Sequence, residues 1–212
     1  MNAPRKVKIC GINSPASFDA VVESGADYLG FVFFPASPRY VTPGEAAALS
    51  ARHPGGPQRV GLFVNPRLDE IDEILNEVSL DILQLHVPPE AIPTFRNRFG
   101  RPVWRALGVA TAADFPSPIE LSDGYVIEAK PPANATRPGG NAVQADWNLL
   151  SHYHSPKLWL LAGGLTPTNV ATALTQTAAP AADVSSGVET SPGLKSPGLI
   201  RQFVAAVRGV GK

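Results

Sequence analysis

Short apolar runs separated by mixed stretches recur along the chain. Eight of them predict strands: residues 7–10, 28–33, 60–64, 82–85, 103–107, 124–127, 158–161 and 182–184. Several, such as Tyr28-Leu29-Gly30-Phe31-Val32-Phe33, are apolar without alternation. Strands covered on both faces read this way, because neither face meets water. Between the runs the spacing changes to that of helices. Phe18, Val21 and Val22 share one helix face, as do Leu68, Ile71, Leu75 and Val78, and later Ile200, Phe203, Val204 and Val207. Ser14-Pro15, Thr42-Pro43, Thr166-Pro167 and Ser196-Pro197 each predict a helix start, with a capping hydroxyl ahead of a proline at the first helical position. Thr42 with Glu45 also fits a capping box. The fifth unit is the weakest, since residues 111–118 predict only a stub of helix.

Strand and helix alternate from end to end, which favours a parallel sheet. Eight such units in 212 residues predict a closed (β/α)8 TIM barrel rather than a doubly wound sheet. The first turn, Cys10-Gly11-Ile12-Asn13, lacks the Gly-x-Gly-x-x-Gly fingerprint of a dinucleotide site. No linker, charge block or low-complexity tract divides the chain, so residues 1–212 read as one domain.

Charge narrows the partners. Lys+Arg and Asp+Glu are both 18, so no basic face is forced and nucleic-acid binding is not expected. A single cysteine makes no internal disulfide and fits a reducing compartment. The start, Met1 to Lys6, lacks the apolar stretch of a secretory signal, and no apolar run is long enough to span a bilayer. A cytoplasmic protein with no membrane partner is the expectation, with monomer and homodimer both open.

In a parallel barrel the C-terminal strand ends meet on one rim, where such barrels do their chemistry. Cys10, Glu128, Gly163-Gly164 and Ser185-Ser186-Gly187 all follow or end predicted strands, and so meet there. The loops after strands seven and eight frequently bind phosphate, which makes Gly163, Gly164, Ser186 and Gly187 candidate ligands through their backbone N–H groups. Cys10 is open between a buried small hydrophobe and a reactive thiol. Glu128 is open between an acid acting with Cys10 on one substrate and a partner of Lys130. Arg39, in the loop after strand two, has a guanidinium suited to forking onto a carboxylate, against the reading of a solvated surface arginine. His86 either lines the pocket or is structural. His152 and His154 have no matching third ligand, so no metal site is expected, and His53 reads as surface.

These residues resemble one family. Lys8-Ile9-Cys10-Gly11-Ile12, Gly30-Phe31-Val32-Phe33 with Ser37-Pro38-Arg39-Tyr40, Gln84-Leu85-His86, Pro138-Gly139-Gly140 through Asp146-Trp147, Leu161-Ala162-Gly163-Gly164-Leu165 and Asp183-Val184-Ser185-Ser186-Gly187-Val188-Glu189 run in the order found in phosphoribosylanthranilate isomerases of tryptophan biosynthesis. The resemblance implies a cofactor-free TIM barrel and an Amadori rearrangement of a small phosphorylated substrate, N-(5-phosphoribosyl)anthranilate. It implies Cys10 as general base, Glu128 as general acid and Arg39 as holder of the anthranilate carboxylate. Asp183 matches a polar ligand near the substrate, and the glycine and serine loops match the phosphate site. At neutral pH both acid and base need tuning by ~1–3 pKa units, from burial for the acid and from nearby positive charge for the thiol.

The chain departs from the family pattern in three places. Glu128 stands where an aspartate is usual, adding one methylene and roughly 1.5 Å of reach. His86-Val87-Pro88-Pro89-Glu90 replaces a glycine and an acidic residue, with Glu90 as a candidate replacement carboxylate, and Asn13 replaces a threonine. Two rival readings are a barrel that only binds a phosphorylated ligand and a histidine-pathway sugar-phosphate isomerase. The latter resembles a two-aspartate arrangement, against which Cys10 argues.

Overall fold

The computed structural model describes residues 4–130 and 144–210. Eight parallel strands close into a barrel: β1 (Lys6–Cys10), β2 (Tyr28–Val32), β3 (Gln58–Val64), β4 (Ile82–His86), β5 (Val103–Val109), β6 (Gly124–Ala129), β7 (Leu158–Leu161) and β8 (Ala181–Val184), with β8 pairing back onto β1. Closure leaves no barrel strand with an unpaired edge. Around it lie α1 (Pro15–Glu23), α2 (Pro43–Ala51), α3 (Leu68–Glu77), α4 (Ile92–Phe99), α5 (Trp147–Leu150), α6 (Val170–Thr177) and α7 (Pro197–Arg208). The chain is thus a (β/α)8 TIM barrel. None of the described helices is long and apolar enough to cross a membrane.

Local chemistry explains most boundaries. Ser14 Oγ accepts from Ser17 N at the start of α1, and Ser196 Oγ accepts from Leu199 N at the start of α7. Thr42 and Glu45 form the reciprocal capping box of α2, at 2.8 and 3.2 Å. The expected start at Thr166-Pro167 is corrected: α6 begins at Val170. Asn169 Oδ1 accepts from Thr166 N at 2.8 Å and its Nδ2 donates to Gly164 O at 3.0 Å, which holds the intervening residues in a turn. The fifth unit has only a 3₁₀ turn, Ala112–Asp114. Pro138-Gly139-Gly140 lie outside the described residues.

Two buried layers result from the strand alternation. Outward residues such as Val7, Ile9, Leu83, Leu85 and Ile127 pack with the helices. Inward residues, among them Tyr28, Val60, Ile82, Trp104 and Leu160, plug the lower barrel, with Tyr28 and Trp104 edge to face at 4.9 Å. Side chains nearer the C-terminal ends, from Cys10 to Glu128, face an open cavity.

A hairpin absent from the sequence expectations follows a 3₁₀ turn (Ser186–Val188): β9 (Glu189–Ser191) and β10 (Leu194–Lys195). Asn13 Nδ2 donates to Gly193 O at 3.0 Å, tying the hairpin to the loop after β1. The hairpin carries Glu189 and Lys195 to the rim.

Candidate active site

The strand ends enclose a cavity that opens to solvent. Cys10, Arg39, His86, Glu128, Gly163, Gly164, Asp183 and Ser186 all line it. Gly187 does not. It packs against the loop after β7, where an added Cβ would stand 1.8 Å from Leu165 O. Gly164 has φ +66° and an added Cβ there would lie 2.9 Å from Gln144 Cα, so both glycines also serve the fold. The backbone N–H groups of Gly164, Ser186 and Gly187 find no acceptor among the described residues. A donor cluster of this kind suits an anion.

Another sector, on β2 and β3 and the start of the loop after β2, is apolar, with Val32, Phe34, Leu62 and Val64 on its walls. One end of the cavity therefore suits an anion and another a flat apolar group. Cys10 ends β1 and Glu128 lies within β6, with β7 and β8 between those strands round the ring. Glu128 is in register with Gly108 on β5. Lys130 bonds Asp114 at 3.3 Å. Glu90 sits exposed in a short 3₁₀ turn, off the cavity wall.

Beneath and beside Cys10 lies a network that sequence reasoning missed. Lys8, wholly buried inside the barrel, bonds Asp183 at 2.9 Å. Arg39, 6% exposed and so not a surface arginine, forks onto Glu189 through Nε at 2.7 Å and Nη2 at 2.9 Å. Lys195 Nζ bonds the same carboxylate at 2.6 Å and Ser185 O at 2.9 Å. Three cations thus share two carboxylates, leaving one positive charge in excess within this group. Glu189 occupies one edge of the Arg39 guanidinium, and the end edge stays available for a second carboxylate. The only sequence signal was for Lys8, a charge at an inward strand position; Lys195 gave none.

Electrostatics correct one expectation. Burial pushes the Cys10 thiol up and Asp183 adds to this, while Lys8 and Lys195 pull down without reversing it. Positive charge is present as expected, but desolvation wins. Burial also opposes the charge of Lys8, yet Asp183 and Cys10 hold its ammonium above the ordinary value. Burial works against ionised Glu189 too, but Arg39 and Lys195 keep its carboxyl below the usual range. His86 is lowered to about 4 by burial and by Lys8, so it is neutral at pH 7.

The chain is similar to known proteins. The family described as N-(5'phosphoribosyl)anthranilate (PRA) isomerase matches the chain over residues 7–206. An N-(5'-phosphoribosyl)anthranilate isomerase of Granulibacter bethesdensis is 52% identical over 204 residues, covering 96% of this chain and 98% of that one. The crystal structure of phosphoribosyl anthranilate isomerase from Thermotoga maritima superposes with a TM-score of 0.82 at 34% identity, covering 97% and 99% of the two chains. A phosphoribosyl anthranilate isomerase in complex with reduced 1-(o-carboxyphenylamino)-1-deoxyribulose 5-phosphate superposes with a TM-score of 0.77 at 32% identity, covering 97% and 99%.

Proposed function

The chain belongs to the N-(5'-phosphoribosyl)anthranilate isomerase family, and on that footing we propose how its cavity performs the reaction. The reaction is the Amadori rearrangement of N-(5-phosphoribosyl)anthranilate to 1-(2-carboxyphenylamino)-1-deoxyribulose 5-phosphate, an isomerase step of tryptophan biosynthesis. One observation carries the assignment of roles. A thiol and a carboxyl face a single cavity that has, on one wall, backbone N–H groups with no acceptor among the described residues and, on another, a buried arginine.

Glu128 is the general acid. It gives its proton to the ribose ring oxygen as the bond from C1′ to that oxygen breaks, and the anilino nitrogen lone pair forms the C=N bond of a protonated Schiff base. Cys10, as thiolate, then takes the C2′ proton. The electrons of that C–H bond form C1′=C2′ and neutralise the iminium, and the resulting enolamine tautomerises to the ketone. Arg39 holds the anthranilate carboxylate on its end edge, the aromatic ring lies against the apolar wall, and Gly163, Gly164 and Ser186 hold the phosphate. Asp183 keeps Lys8 in place below the thiol, on the substrate side of the cavity, and His86 borders the same space. A small-molecule substrate, a cytoplasmic location and a monomeric or homodimeric state complete the reading. A solved structure of the Thermotoga maritima enzyme describes it as dimeric.

The direct test follows freshly made phosphoribosylanthranilate by its anthranilate-type fluorescence. Loss of signal at a rate set by enzyme concentration separates an isomerase from a barrel that only binds, and an unchanged signal refutes the reading.

Arg39→Lys is expected to raise KM by about 10–100-fold while kcat changes only a few-fold. A lysine offers a point charge where the guanidinium offers two parallel donors, and the lost contact holds substrate and transition state alike. Steady-state kinetics in both parameters check this; a fall confined to kcat would count against the carboxylate role.

The pH profile follows from proton counting. The working pair, protonated Glu128 and ionised Cys10, holds one proton, the same number as ionised Glu128 with protonated Cys10. Between the two ionisations kcat/KM is therefore flat, and it falls on either side: on the acid side where both groups are protonated, and on the alkaline side where the last proton leaves. Because burial raises the Cys10 thiol, the alkaline limb is expected above an ordinary thiol's value of about 8.5. His86, at about 4, contributes no limb near neutrality. An alkaline limb below pH 8 would contradict the assignment.

A further inference from the structure

Among the described residues, three buried side-chain polar atoms lack a hydrogen-bond partner: Ser50 Oγ, Trp147 Nε1 and Gln84 Oε1. Only Gln84 is on the cavity wall. It is 2% exposed and lies in register with Leu62 on β3 and Trp104 on β5. Two residues on, His86 points to the same side of the strand and lines the same cavity. Leu62, the partner of Gln84 on β3, lines the same cavity and offers no side-chain hydrogen bond.

An amide oxygen enclosed in this way is unfavourable, and native proteins seldom keep one without a reason. A leucine or methionine at this position would fill the space without that cost. The retained amide points to a partner that arrives from the cavity.

We propose that Gln84 is a substrate-binding residue whose amide hydrogen-bonds the neutral, hydroxyl- and amine-bearing middle of phosphoribosylanthranilate. The inference rests on the isomerase reading of this cavity. The two ends of the substrate are anionic and are matched by Arg39 and by the backbone N–H groups of the β7 and β8 loops. Between them the substrate carries hydroxyls and one amine, groups that donate and accept. A carboxamide also does both and brings no charge. The neutral His86 ring beside it keeps this wall free of charge as well. An uncharged acceptor here also faces favourably the positive charge that develops at the nitrogen when the ring opens.

Gln84→Met tests this, because it keeps the length and removes the polar atoms. The thermal midpoint is expected to hold or rise by a few degrees, since an unsatisfied buried group has gone. At the same time kcat/KM is expected to fall about 10–100-fold, the scale for leaving a substrate group unpaired in a buried site. A purely structural glutamine would behave in the opposite way and lose stability. Gln84→Glu has nearly the same shape and guards against a packing artefact. Its protonated acid donates and accepts like the amide, so activity should survive at low pH and fall as that carboxyl ionises, a limb the parent lacks. Unchanged kcat/KM in Gln84→Met, or loss of stability in both variants, overturns the proposal while leaving an active parent enzyme as an isomerase. A parent that fails to convert the substrate removes the underlying reading instead.

Discussion

Cys10→Ala is expected to remove nearly all turnover and to leave the barrel folded. The thiol is 4% exposed, and its Sγ fills space left by Gly30, where an added Cβ would lie 2.9 Å away. Losing one sulfur leaves a small void, a modest packing cost of about 1 kcal/mol on the scale of core truncations. Losing a positioned base has a far larger effect, typically 10²–10⁴-fold, about 3–5 kcal/mol in the barrier. Cys10→Ser sharpens the test because it keeps the size. A hydroxyl is a much weaker acid than a thiol, and the burial that already raises the thiol would raise the hydroxyl further. The serine variant is therefore expected to be severely impaired, with a thermal midpoint close to the parent's. Full activity in that variant would exclude thiolate chemistry.

Glu128→Gln is expected to abolish turnover with little change in substrate binding, because the amide keeps the shape and has no acidic proton to give. Single-turnover and equilibrium-binding measurements separate the two effects. Glu128→Asp should be tolerated, and a gain in rate would mean that the longer side chain is a compromise. β6 runs through Ala129 and pairs Glu128 with Gly108, so the longer side chain starts from within the strand. A fully active glutamine variant would mean that another group protonates the ring oxygen. His86 is then a poor candidate, since with a pKa lowered to about 4 it carries no spare proton at neutral pH.

Much of the fold was legible because its signals are local. Continuous apolar runs marked the eight barrel strands, and hydroxyl-proline pairs marked three of four helix starts correctly. The fourth failed because Asn169 bonds both Thr166 and Gly164, and a side chain that staples a turn outweighs the preference of one proline. The short hairpin after β8 was missed since five strand residues with mixed polarity carry no periodicity to read.

By itself the sequence determined the barrel and which residues reach its rim. Closing eight parallel strands carries every strand end to the same place, so position within a run is enough to locate Cys10, Glu128 and the two glycine and serine loops. Only the tertiary structure decided what those groups meet there. Lys8 finds Asp183 across 175 positions of chain and Arg39 finds Glu189 across 150, pairings with no local trace. The direction of the Cys10 shift and the lack of a partner at Gln84 Oε1 likewise depend on burial. Whether nearby charge or lost water dominates is set by every neighbour at once, and those neighbours are assembled only when the barrel closes.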